Sequence, residues 1–98
     1  MATGPIQKKT EPKIVGHQFT NLAQYNPSAY YLSIPGVKAA CGIPNSATIL
    51  SATVAGWSGL GTSVGVGIDG SDGLYVFFTN GWTISSSSYI TVRIAYMV

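Results

Sequence analysis

From Ile14 onward the chain alternates apolar and polar positions at a period of two, which is the pattern of half-buried strands rather than helices. Ile14-Val15-Gly16-His17-Gln18-Phe19 predicts a first short strand, followed by a turn-rich stretch through Asn26-Pro27-Ser28. Ala29 to Ile34 predicts a second strand, stopped by Pro35-Gly36, with Tyr30 and Tyr31 on opposite faces so that at most one of them reaches the core. Val37 to Gly42 is short enough to fit either one helical turn or a strand edge. Ala47 to Ala55 is long, β-branched and free of proline, and predicts a strand with Leu50, Ala52 and Val54 inward and Ser51 and Thr53 outward.

Thr62 to Ile68 places Val64, Val66 and Ile68 on one face and the glycines Gly65 and Gly67 on the other, so that face can be approached closely by another backbone or a neighbouring subunit. Asp69-Gly70-Ser71-Asp72-Gly73 is a strong turn signal leading into the strand Leu74 to Thr79. Asn80-Gly81 is the preferred pair of a tight hairpin and predicts a return strand over Trp82-Thr83-Ile84. Four serines, Ser85 to Ser88, then form a loop before Tyr89 to Val98, in which Ile90, Val92, Ile94 and Tyr96 share one face. These strands predict an all-β fold, a small antiparallel β-sandwich over residues 13–98, with residues 1–12 as a flexible leader joining an upstream segment.

Composition adds a demand for company. Only 8% of the 98 residues are charged, against about a quarter in an ordinary soluble domain. Surface scaling gives a monomer of 10.2 kDa roughly 5,000 Å² of accessible area, so each formal charge would serve about 600 Å². The expectation is self-association.

The positive charges exclude more than they suggest. Lys8, Lys9 and Lys13 lie near the start, and Lys38 and Arg93 stand apart, which is no footprint for nucleic acid. No run of about eighteen apolar residues predicts membrane insertion, and no signal-peptide core opens the chain. The expectation is synthesis in the cytoplasm and exit by a route other than ordinary secretion. A single cysteine, Cys41, cannot form an intrachain disulfide and reads as a small buried apolar residue.

Catalysis is not expected. His17 and Cys41 are the only members of their kinds, and Glu11, Asp69 and Asp72 are the only acids. A glycosidase needs two carboxyl groups about 5 to 10 Å apart, and Asp69 and Asp72 share one turn where such side chains ordinarily serve their own backbone. The same turn lacks the further acids and closing Glu of a calcium loop, so neither metal nor cofactor is expected. A threefold assembly would offer one other metal arrangement, three His17 rings about its axis.

Aromatic residues in loops carry the binding expectation. A sugar is held by an aromatic face against its apolar side and a few polar groups on its hydroxyls. Trp57 in Gly56-Trp57-Ser58-Gly59 has a loop setting and is the leading candidate, with Tyr30 beside it and Asp69, Ser71, Asp72 and Asn80 as polar partners at turns. Trp57 suits a trimer contact equally well, and Trp82 is expected in the core or an interface.

The strand Ala47 to Val54, the glycine-rich hairpin, the segment Gly73-Leu74-Tyr75-Val76-Phe77-Phe78-Thr79-Asn80 and the ending Tyr89 to Met97 together resemble the C-terminal receptor-binding tip domains of bacteriophage tail fibres. The resemblance spans Ile34 to Val98. It implies a homotrimer at the distal end of a virion fibre that binds a glycan or protein receptor on a bacterial surface, made in the host cytoplasm and released by lysis. The rival class is a structural virion decoration, collar or head-fibre protein that trimerises and caps without binding a receptor.

Overall fold

The computed structural model describes residues 11–79 and 81–98. Its strands are β1 (Lys13–Phe19), β2 (Tyr31–Pro35), β3 (Thr48–Ser58), β4 (Val64–Asp69), β5 (Gly73–Phe78) and β6 (Tyr89–Met97). A short helix, α1 (Val37–Cys41), follows β2, and single 3-10 turns cover Leu22–Tyr25 and Gly81–Thr83. The strands form two three-stranded antiparallel sheets, ordered β1-β6-β3 and β2-β5-β4. They pack face to face as a small β-sandwich, as the alternation predicts.

The period of two decides what lies between the sheets. Ile90, Val92 and Ile94 of β6 are fully buried, as are Leu74 and Val76 of β5, and Leu32 and Ile34 of β2 supply the opposite edge. Fully burying a side chain of this size contributes about 1.5–3 kcal/mol, so this alternation is the main stabilising term. Leu22 and Leu60, from loops rather than strands, are also fully buried and plug the same end of the core.

Three strand expectations need correction. Leu50 is 45% exposed, because a bulge between Ile49 and Ser51 inserts one residue against the regular β6. Ile49 therefore takes the inward position opposite Tyr96, while Ala52 and Val54 point inward as expected. Trp57 lies within β3 rather than in a loop, since β3 continues through a second bulge between Val54 and Gly56. Trp82 to Ile84 form no return strand. The Gly81 amide donates to the Ala29 carbonyl at 3.0 Å, and the chain crosses from one sheet to the other before β6 begins.

The remaining expectations fall in place or outside. Val37 to Cys41 resolves as one helical turn, and Tyr30 and Tyr31 both lie outside the core. The expected leader falls almost wholly on residues 1–10, outside the described residues, as does Asn80.

The crossing is locked by Ser88, which is 1% exposed. Its hydroxyl accepts the Ser85 amide at 2.9 Å and donates to the Gly59 carbonyl at 3.0 Å, and its own carbonyl accepts the Leu22 amide at 3.2 Å. Gly59 has φ +74, and a Cβ there would collide with the Ser88 hydroxyl. Glycine is therefore required twice at this position, by its backbone and by its neighbour.

Candidate functional site

The sandwich has two ends and two outer faces, and the residues expected at one site are divided among them. Trp57 and Tyr30 sit at the end where β3 hands over to β4 and where β2 begins. Asp69, Ser71 and Asp72 sit at the opposite end, in the β4–β5 turn. The length of β5 separates them, six residues or roughly 17 Å from first to last. They cannot form a single small-ligand site.

At the first end, Trp57 lies opposite Ile90, on the inward side of β3 at the rim of the core. Its indole N–H donates to the Gly61 carbonyl at 2.9 Å, leaving the ring 37% exposed. The side chain thus closes the loop around the buried Leu60 and presents only part of its face. Trp82, expected in the core or an interface, is 87% exposed and so is not part of the core. It borders a cleft of about 160 Å³ shared with Pro27, Ser28, Ala29 and Gly81.

Hydrogen bonds hold that cleft firmly. Ser28 Oγ accepts the Tyr31 amide at 3.2 Å and donates to the Tyr31 carbonyl at 3.0 Å. Tyr30, 70% exposed and adjoining the cleft in sequence, has its carbonyl tied to the Phe78 amide at 2.9 Å. An aromatic wall, a proline and a serine on a rigid turn are the elements that sugar binding asks for.

At the other end the two aspartates have separate duties. Asp72 Oδ1 accepts the Lys38 amide at 2.7 Å and its carbonyl accepts the Val37 amide at 3.1 Å. This caps α1, whose N-cap residue, Gly36, has no side chain to do so. Asp69 instead acts on Tyr75, its negative charge pushing the Tyr75 phenol above its usual pKa. Ser71 is exposed at the tip between them.

The sequence reading missed a third region, the outer face of the β2-β5-β4 sheet. Leu74, Val76 and Phe78 point inward, so Tyr75 and Phe77 must point outward, where Tyr31 joins them from β2. The Tyr31 and Tyr75 rings meet edge to face at 5.9 Å, and those of Tyr75 and Phe77 lie 5.7 Å apart, tilted by 34°. Across β4, Gly65 pairs with Phe77 and Gly67 with Tyr75. A Cβ at Gly67 would come within 3.3 Å of the Phe77 ring, so the close approach that the glycine face implies is made by this ring. The signal was legible in the alternation of Leu74 to Phe78 set against Val64-Gly65-Val66-Gly67.

The other reactive side chains stand apart. His17 occupies the inward register of β1, half-buried, with its ring edge-on to Phe19 at 4.7 Å. The Cys41 thiol is raised above its ordinary pKa, first by burial and then by the Asp72 carboxylate, the reverse of what activates a nucleophile. Lys38 is 8% exposed and its ammonium donates to the Asn45 carbonyl at 3.1 Å. Among the described residues no three His, Cys, Asp or Glu side chains gather as metal ligands, and no helix is long and apolar enough to cross a membrane.

No protein-family model matches the chain, and neither does any curated protein or solved structure.

Proposed function

We propose that this chain is a non-catalytic attachment domain, the receptor-binding tip of a bacteriophage tail fibre, which trimerises and holds a glycan of the bacterial surface. The observation that carries the reading is the cleft at the loop end. Trp82, 87% exposed, stands over a rigid turn with Pro27 and Ser28 beside it, and a large aromatic exposed to that degree loses the burial it would gain in a core. Contact with a ligand restores that burial.

Assembly makes weak sites useful. One shallow cleft binds a sugar feebly, and three clefts on a common axis gain avidity of about 10²–10⁴ when the receptor is displayed densely. The scarcity of charge supports self-association, as do Ile14 at 71% exposure and Leu50 at 45% on the β1-β6-β3 sheet. Replacing Trp82 by Ala is expected to lower attachment to host cells by at least about tenfold while leaving the solution mass at three copies. Unaltered attachment with assembly intact would assign the chain to the capping role, in which the domain trimerises but holds no receptor.

A further inference from the structure

We infer that the outer face of the β2-β5-β4 sheet is a second binding surface, a track for a neutral, linear, β-linked oligosaccharide laid along Phe77 and Tyr75 of β5, with Tyr31 of β2 and Asp69 of β4 flanking it on either side. The glycan class rests on the attachment reading above. The surface itself rests on geometry independent of the cleft.

Exposure comes first. Phe77 and Tyr31 are each 46% exposed on the outer face of the sheet, where an apolar ring gains least from water. Phe77 lies over Gly67, and Gly65 beside it has nothing within 4 Å of the place a Cβ would occupy. The result is a ring set against a bare strip of backbone, with open space alongside. Such a surface accepts a flat apolar face and offers little to a protruding side chain.

Size then chooses the occupant. Three strands about 4.8 Å apart, at about 3.3 Å per residue over six residues, make a face of roughly 14 by 20 Å, near 280 Å². A stable protein partner buries about 800 Å² on each side, so this face alone is too small for a second copy of the chain. It fits a short oligosaccharide. The Tyr75 and Phe77 rings, 5.7 Å apart and tilted by 34°, match stacking on successive sugar units, while Tyr31, edge to face with Tyr75, walls the track.

Charge and hydrogen bonding complete the assignment. Among the described outward residues of this sheet, Asp69 is the sole charged group. A cationic ligand would find a single carboxylate at the edge of the face and an anionic ligand would find repulsion, so a neutral ligand is preferred. The lone pairs of Asp69 and of the Tyr75 and Tyr31 hydroxyls can meet sugar hydroxyls along the track. β-Linked hexoses with equatorial hydroxyls expose apolar ring faces to the rings below, and their hydroxyls lie at the rim where those acceptors stand.

The test uses the full chain and two probe series, cello-oligosaccharides and chito-oligosaccharides from disaccharide to hexasaccharide, titrated calorimetrically. Affinity for at least one series is expected to rise with length and then level off once the track is filled. Phe77→Ala and Tyr31→Ala should each weaken binding by about three- to tenfold. Gly65→Gln has room for its side chain and no positive φ to strain it, so it should keep or raise the melting temperature while lowering affinity at least about tenfold by covering the track.

The track is overturned if neither series binds, or if the three substitutions leave affinity unchanged. It is equally overturned if Gly65→Gln changes the solution mass, since the face would then be a protein contact. Loss of host attachment in Trp82→Ala with these variants unaffected would sink the track and keep the attachment reading. Oligosaccharide binding that responds to Gly65→Gln while Trp82→Ala attaches normally would do the opposite.

Discussion

The two sheets of this sandwich are alike inside and opposite outside. Both direct branched aliphatic residues inward, yet the outer face of β1-β6-β3 scatters exposed Ile14 and Leu50 among Gln18, Thr91, Arg93, Ser51 and Thr53, while that of β2-β5-β4 gathers Tyr31, Tyr75 and Phe77 beside Gly65 and Gly67. Singly scattered apolar residues on a mostly polar face are ordinary for a protein surface. The second face pairs the largest apolar side chains with residues that have none, which flattens the surface and concentrates aromatic area in one place. The fold does not need that arrangement, because the core is complete beneath it. An outer face that departs from solvation without helping the core is where binding is to be sought.

The sharpest break of the comparison is between neighbours in β5. Leu74→Ala, at a fully buried position, should cost about 2–5 kcal/mol of stability through lost transfer and a residual cavity. Phe77→Ala, although it removes a larger side chain, should cost less than about 1 kcal/mol. Denaturant midpoints of the two variants measure the difference, and comparable losses would mean that Phe77 belongs to the core after all.

The two acids of the β4–β5 turn should divide in the same way. Asp72→Ala removes the cap of α1 and is expected to cost about 1 kcal/mol in the same denaturation experiment. Asp69→Asn acts on the aromatic face instead, and its effect is a titration. The Asp69 charge holds the Tyr75 phenol protonated, with a folded-state pKa above the unfolded value, so that contribution is complete below pH 10 and is lost as pH rises through the folded pKa. Asn at position 69 should move the Tyr75 phenolate transition down toward its ordinary range in an absorbance titration. An unmoved transition would show that the pair is not formed.

Of the candidate site, the sequence revealed the chemistry more readily than the place. Tyr30 is exposed at the cleft end, and Asp69 does meet an aromatic residue of the outer face. Trp57 lies in a strand rather than a loop, and Trp82 lies outside the core. A tryptophan flanked by glycines resembles a loop residue, but β3 absorbs it through a bulge, while the Asn80-Gly81 pair that promises a hairpin precedes a crossing between sheets. Asp72 reads as an ordinary turn residue because its partner, the Lys38 amide, lies 34 positions away in sequence.

The sequence by itself determined the strands, their inward faces and the β4–β5 turn, because alternation and turn chemistry are local properties carried within a few consecutive residues. Tertiary structure alone decided the bulges that expose Leu50 and draw Trp57 into β3, since a bulge exists only relative to the partner strand it is measured against. It alone also laid Phe77 over Gly67 and gathered Tyr31, Tyr75 and Phe77 onto one face, because register between strands brings together residues that nothing in the linear order connects.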